Sequence, residues 1–137
     1  MAKSTQQAQD KLLEMARKAA GNSYSPYSKF SVGAALELSN GEIVTGTNVE
    51  NVSFGMTICA ERSAVARAVS QFGPEIRVKA VAVANLNGTA SPPCGSCRQV
   101  LAEFIEPDAP VIFPAEDGTR TMAFNELLPF GFEMKIK

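Results

Sequence analysis

The sequence contains no histidine and only three cysteines. Without histidine, a general acid or base must be Glu, Asp, Lys, Tyr or Cys. The odd number of cysteines, together with the lack of an apolar secretion signal in residues 1–10, predicts reduced thiols in a reducing compartment. We therefore expect a cytoplasmic protein.

The chain also lacks an excess of basic residues and a long apolar run. Its 13 Lys and Arg residues nearly balance 14 Asp and Glu residues, which gives a net charge of -1. A protein built to hold a nucleic-acid backbone usually has a basic face. A membrane span needs about 18 or more consecutive apolar residues. We therefore expect no nucleic-acid partner and no membrane partner, and a small or neutral substrate.

What is present indicates one globular domain over residues 1–137, since 137 residues with 45% hydrophobic content suffice for a core. Apolar spacing predicts helices at residues 5–20, 58–71 and 95–104, strands at 30–38, 42–48, 78–84, 111–115 and 121–124, and a last helical turn at 125–128. This αββαβαββ order predicts an α/β fold, a three-layer α/β/α sandwich around a five-stranded mixed sheet. The short Asp117-Gly118 turn predicts that the last two strands are antiparallel.

All three cysteines fall in two short motifs, Cys59-Ala60-Glu61 and Pro93-Cys94-Gly95-Ser96-Cys97. Each motif lies where a predicted loop enters a predicted helix, and the unpaired amides of a helix start favour thiolates. Three thiolates suit a zinc ion with one position left open for water, which is the layout of a hydrolytic centre. Glu61 is the adjacent candidate for the general acid and base.

The charge of such a centre calls for a nearby cation. Zinc with three thiolates carries a formal charge of 2 − 3 = −1, so a hydrogen bond from a cation to sulfur would restore its Lewis acidity. Arg62 and Arg98 each follow a motif directly. Either could serve, and we favour Arg62.

The motifs carry a family resemblance. Cys-Ala-Glu-Arg at 59–62 and Pro-Cys-Gly-Ser-Cys-Arg-Gln-Val at 93–100 resemble the zinc-dependent cytidine deaminases, in their small, homotetrameric, three-cysteine class. Residues 27–35, 48–51 and 126–129 match the same class, so the resemblance covers nearly the whole chain. It implies a single cytidine deaminase-like catalytic domain.

The resemblance implies hydrolysis of cytidine and 2′-deoxycytidine to uridine and 2′-deoxyuridine with release of ammonia, as in pyrimidine salvage. Cys59, Cys94 and Cys97 would hold one zinc ion per subunit. A zinc-bound hydroxide would attack C4 of the base, and Glu61 would shuttle the protons.

The resemblance also implies the substrate contacts. Asn48 and Glu50 would hydrogen-bond the ribose hydroxyls, Phe30 would pack on the pyrimidine or sugar, and the Ala60 backbone would help hold the base. Phe132 matches an aromatic residue that enters the site of a neighbouring subunit, so active sites near the interfaces of a homotetramer are expected. Phe130 lies close by in the sequence and is the other candidate for that role.

Alternatives remain open for the cysteine motifs and for the substrate. Cys94-Gly95-Ser96-Cys97 alone would fit a redox dithiol, but Cys59 has no role in that reading. A structural zinc site would need a fourth ligand. A deaminase of a modified nucleoside such as blasticidin S, or a nucleoside-binding or redox module without catalysis, would share the same motifs. A deaminase of DNA or tRNA is disfavoured by Cys59, where such enzymes usually carry His.

Overall fold

The computed structural model describes residues 2–132 and Met134, with side chains from Gln6 onward. The described elements are α1 (Ala2–Ala20), β1 (Val32–Leu38), β2 (Ile43–Thr47), a 3-10 turn (Phe54–Met56), α2 (Ala60–Phe72), β3 (Val78–Asn85), α3 (Gly95–Ala102), β4 (Pro110–Ala115), β5 (Gly118–Ala123) and α4 (Phe124–Leu127). The order agrees with the predicted αββαβαββ pattern and its short last helix. Within this part of the chain, no helix has the length and apolar character needed to cross a membrane.

The strands form one five-stranded mixed sheet with the order β2-β1-β3-β4-β5. β1 pairs antiparallel with both β2 and β3, β3 runs parallel to β4, and β4 pairs antiparallel with β5. The parallel pair needs a crossover connection, which the segment containing α3 supplies. The predictions of a mixed five-stranded sheet and of antiparallel final strands are confirmed.

Helices cover both faces of the sheet, so the fold is the predicted three-layer sandwich. Because side chains alternate along a strand, β3 presents alanines to one face and larger valines to the other. The alanine face packs with α1 around Leu12 and Ala16. The valine face packs with α2 and α3, where Ala64 and Leu101 are buried against it.

The backbone of α2 lies directly against that of β2. One stripe of α2 consists of the buried residues Ala60, Ala64 and Ala68, spaced four apart on one side of the helix. A Cβ atom on Gly46 of β2 would stand 2.7 Å from the carbonyl oxygen of Ala60 and closer still to the amide nitrogen of Ala64. The small residues at this contact therefore fix the position of the first turns of α2 relative to β2.

β1 begins later than predicted because the loop before it is held by side chains. The amide of Phe30 donates to Ser28 Oγ at 3.0 Å, and the amide of Ser31 donates to Asn87 Oδ1 at 3.1 Å. Both N–H groups are thus withdrawn from the strand ladder, which starts at Val32. The predicted strand start at residue 30 was two residues too early for this reason.

The ends of α1, α3 and β5 also differ from the prediction. α1 begins at Ala2 rather than at residue 5, and α3 ends at Ala102 rather than at residue 104. The amide of Phe104 donates to the carbonyl of Leu101, a tighter three-residue closure that ends the helix. β5 begins at Gly118, because the ladder with β4 continues to the tight turn.

Gly46→Ala is expected to destabilise the fold. The added methyl group must displace the backbone of α2, and overpacking of this kind costs about 1–3 kcal/mol. Urea unfolding of the wild-type and Gly46→Ala proteins measures the difference in their free energies of unfolding. Gly55→Ala is the matched control, because a Cβ on Gly55 meets no heavy atom within 4 Å. Equal unfolding midpoints for all three proteins would contradict the close contact.

Candidate active site

Two helix starts bring the three cysteine sulfurs together. Cys59 is the N-cap residue of α2 and Cys94 is the N-cap residue of α3, while Cys97 lies in the first turn of α3. The sulfur atoms of all three lie within 4.8 Å of one another, and Cys59 Sγ and Cys94 Sγ are 3.9 Å apart. Among the described residues, no further Cys, Asp or Glu joins this cluster.

Within the cluster, Cys59 carries the thiolate charge and Cys97 holds the proton between them. The pKa of Cys59 is lowered to about 5, chiefly by the hydrogen bond that the Cys97 thiol donates to it. The pKa of Cys97 is raised by the same shared proton and by burial. A divalent metal ion replaces such protons when it binds. Three sulfur donors fit the preference of zinc and leave one position of a tetrahedron open.

Arg62 lies at this sulfur cluster, and Arg98 does not. Arg62 Nη2 is 3.8 Å from Cys59 Sγ, and the hydrogen bond that it donates to this sulfur is the main reason that the pKa of Arg62 is raised. Arg98 instead donates from Nε to the carbonyl of Pro93 at 2.8 Å and from Nη1 to that of Leu127, also at 2.8 Å. Arg98 thus anchors the loop that precedes Cys94, and Arg62 is the arginine that lies beside the sulfur atoms.

A cavity of about 200 Å³ opens onto the cluster. Its wall contains Cys59, Cys94 and Glu61, together with the predicted substrate contacts Phe30, Asn48 and Ala60. The residues that complete it were not singled out from the sequence, and they are Val32, Thr57, Val83, Ser91 and Pro92. They come from a strand end, a strand interior and two loops, so no local motif marks them.

Glu61 is the buried carboxyl group of the site. It lies in the first turn of α2, and its side chain is 5% exposed. Burial, aided by the charge of the neighbouring Cys59 thiolate, raises the pKa of Glu61 to about 7. A carboxyl group with a pKa near neutrality can both accept and return a proton.

Asn48 lines the cavity with its amide held from several sides. Its Oδ1 accepts hydrogen bonds from Ser23 Oγ at 2.5 Å and from the amide of Val32 at 3.0 Å. Its Nδ2 donates to the carbonyl oxygen of Phe30 at 2.8 Å. The amide group has two N–H bonds, so one N–H remains to donate to a ligand.

Glu50 is held by the loop before β1 and is not among the residues that line the cavity. Its Oε1 accepts from the amides of Tyr27 at 3.0 Å and Ser28 at 3.1 Å, and its Oε2 accepts from the Ser28 hydroxyl. The Ser28 hydroxyl is the main reason that the pKa of Glu50 is lowered. Glu50 is therefore a charged carboxylate that shapes the loop leading to Phe30.

The predicted aromatic contacts lie in different places. Phe30 is half-buried in the cavity wall. Phe132 is 71% exposed and lies outside that wall, where its carbonyl accepts a hydrogen bond from Gln99 Nε2 at 3.0 Å. Phe130 is fully exposed. Neither C-terminal ring contributes to the cavity of its own chain.

Comparison with protein families agrees with this arrangement. Residues 6–112 match the family model described as "Cytidine and deoxycytidylate deaminase zinc-binding region". The cytidine deaminase of Halalkalibacterium halodurans is 41% identical over 122 residues, which is 88% of this chain and 91% of that protein. The cytidine deaminase of Sporosarcina psychrophila is 48% identical over 102 residues, 74% of each chain.

Solved structures of similar proteins share the fold. The cytidine deaminase of Burkholderia pseudomallei has a TM-score of 0.81 at 38% identity, covering 90% of this chain and 98% of that chain. The cytidine deaminase of Mycobacterium tuberculosis has a TM-score of 0.79 at 39% identity, covering 91% and 97%. Because the family model matches residues 6–112 and relatives at 41% and 48% identity cover most of the chain, the chain belongs to the cytidine deaminase family.

Proposed function

We propose that the protein is a zinc-dependent hydrolase that deaminates cytidine and 2′-deoxycytidine to uridine and 2′-deoxyuridine, with release of ammonia. The observation that carries the proposal is a cluster of three thiols, two of which, Cys59 and Cys94, line one cavity together with the buried Glu61. The names of the relatives support the substrate class. A redox dithiol would not require Cys59 or a buried carboxyl group beside it.

Cys59, Cys94 and Cys97 would hold the zinc ion. When bound, zinc supplies Lewis acidity and lowers the pKa of water towards about 7. Arg62 offsets the negative charge of the three thiolates by its contact with Cys59 Sγ.

Glu61 moves the protons of the reaction. It accepts a proton from the attacking water as oxygen bonds to C4, and it delivers that proton to N3 of the base. It then carries the second proton of the water to the 4-amino group. This protonation is needed because an amide ion is a very poor leaving group. The C4–N bond then breaks, and the amino group leaves as ammonia. One carboxyl group with a pKa of about 7 suits both directions of transfer.

The cavity has the size of a base rather than of a whole nucleoside. Its volume of about 200 Å³ is below the roughly 300 Å³ at which ordinary ligand pockets begin. The base would enter between Phe30 and Ala60, and the sugar would remain at the mouth. Asn48 would donate its remaining N–H to a sugar oxygen, and Glu50 would accept a hydrogen bond from a sugar hydroxyl at the acceptor position that the loop leaves free.

An exposed apolar surface adjoins the site and supports assembly into a homotetramer. Five apolar residues that are between 43% and 76% exposed form this surface, and they are Val49, Val52, Phe54, Met56 and Ile58. The Tyr27 ring meets the Phe54 ring edge-on, with centroids 6.2 Å apart. Apolar patches of this kind mark protein interfaces. Active sites would then lie near subunit interfaces, with Phe132 or Phe130 of a neighbouring copy closing the cavity mouth.

We further propose that residues 1–137 act as one catalytic domain in the cytoplasm. The three thiols are free and converge on one cluster, so zinc binding needs a reducing environment that keeps them from forming disulfides. The near-neutral charge and the small cavity support a nucleoside substrate rather than a nucleic-acid substrate.

The purified protein is expected to contain one zinc ion per chain and to convert cytidine to uridine with one ammonia released. Removal of the metal with a chelator should abolish turnover, and added zinc should restore it, because the three thiolates carry the only metal cluster of the described residues. Ultraviolet absorbance, ammonia assay and atomic absorption measure the three quantities.

The substrate panel should also include blasticidin S. A zinc-loaded protein that leaves both cytidine and 2′-deoxycytidine unchanged would disprove the proposed function. Faster deamination of blasticidin S than of cytidine would assign the same chemistry to the modified nucleoside.

Glu61→Gln should lower kcat by about 10²–10⁴-fold, the usual contribution of general acid–base catalysis. The amide keeps the shape of the carboxyl group but cannot carry protons, so zinc content and uridine binding should survive. Rapid kinetics and metal analysis check both expectations. Glu75→Gln, on an exposed residue, is the control. Full turnover in the Glu61→Gln protein would show that another group moves the protons.

Phe54→Asp should dissociate the tetramer, because it places a charge in the apolar surface. Light scattering coupled to gel filtration gives the molecular mass of the assembly. If neighbouring copies complete the site, turnover per chain should fall when the tetramer dissociates. Phe72→Asp, at the far end of α2, should leave the mass unchanged. A wild-type monomer, or a Phe54→Asp tetramer, would contradict the proposed assembly.

A further inference from the structure

We propose that Ser23 is a positioning residue that presents the Asn48 amide to the sugar of the substrate. The inference rests on the proposed function, in which Asn48 contacts the sugar. Ser23 lies in the loop between α1 and β1, outside the cysteine motifs and outside the cavity wall. Its role is therefore to act through Asn48 rather than on the substrate.

The Ser23 hydroxyl has one proton and three acceptors within reach. Asn48 Oδ1 is 2.5 Å away, Ser25 Oγ is 3.1 Å away and the Asn48 carbonyl oxygen is 3.5 Å away. The shortest contact takes the proton, since hydrogen bonds between oxygens are strongest below about 2.8 Å. The hydroxyl is thus committed to the side-chain amide of Asn48.

This hydrogen bond is not needed to satisfy a buried polar atom. The amide of Val32 already donates to Asn48 Oδ1, and the carbonyl of Phe30 already accepts from Nδ2. These two backbone groups decide which end of the amide is oxygen and which is nitrogen. They belong to one short segment, so they hold the amide group from one side. Ser23 holds it from a second segment of the chain.

The loop that carries Ser23 is itself anchored at both sides. The amide of Ser23 donates to the carbonyl of Ala20 at the end of α1, at 3.2 Å. The amide of Tyr24 donates to the carbonyl of Asn48, also at 3.2 Å. A hydroxyl on an anchored backbone can hold a side chain in one rotamer. A hydrogen bond accepted by the amide oxygen also polarises the remaining N–H, which strengthens it as a donor.

The test compares cytidine with its 2′,3′-dideoxy analogue, which lacks both hydroxyls. Ser23→Ala should raise KM for cytidine about threefold to tenfold, the range of one ordinary hydrogen bond, with kcat changed less than about twofold. With the dideoxy analogue, kcat/KM should be the same in both proteins. In an Asn48→Ala background, Ser23→Ala should cause no further loss.

Two controls separate positioning from stability. Ser23→Thr keeps the hydroxyl, so its KM for cytidine should match that of the wild-type protein. Ser25→Ala is the second control, because it removes a neighbouring hydroxyl that does not contact Asn48. Thermal unfolding of each variant is measured alongside. An unchanged KM for cytidine in Ser23→Ala, or equal losses on cytidine and the dideoxy analogue, would overturn the Ser23 inference alone. A wild-type protein inactive on cytidine would overturn the proposed function and this inference together.

Discussion

The side-by-side start of α2 and α3 is the constraint on which the rest of the site depends. The sulfur of Cys59 lies within 4.8 Å of those of Cys94 and Cys97, which are 35 and 38 positions away in the sequence, because α2 and α3 begin side by side. The direct backbone contact with Gly46 positions the start of α2. The loop before α3 is held by the hydrogen bond from Arg98 to Pro93, and this loop positions the start of α3. The metal cluster is thus a consequence of packing between elements.

The same packing makes Glu61 chemically useful. A residue in the first turn of an exposed helix would be a solvated carboxylate stabilised by the helix dipole. Here Glu61 is only 5% exposed in the wall of the cavity that Thr57 and Pro92 also line, and burial raises its pKa to about 7. The thiolate of Cys59 contributes in the same direction. The thiolate of Cys59 therefore acts on the carboxyl group of Glu61 within one turn of helix.

Much of this could be predicted from the sequence, because the decisive residues are close together along the chain. Cys59, Glu61 and Arg62 occupy one helical turn, and Cys94 and Cys97 occupy another, so spacing alone places them. The hydrogen bonds that hold Glu50, and the one from Ser23 to Asn48, join residues more than 20 positions apart. No local periodicity in the sequence predicts them. The start of β1 was misjudged for the same reason, since Asn87 takes an amide from the strand across a long separation.

One segment connects the proposed sugar contact, the three-sulfur cluster and the apolar surface. Residues 48–59 begin at Asn48, carry the exposed Phe54 and end at Cys59, and the amide and carbonyl of Val49 both bond Ile58. That pairing closes the segment into a loop with its polar ends inside and its apolar middle outside. A neighbouring copy that covers the middle would hold both ends in place. Assembly and catalysis would then have a common physical cause, the rigidity of this single loop, without any signal travelling through the core.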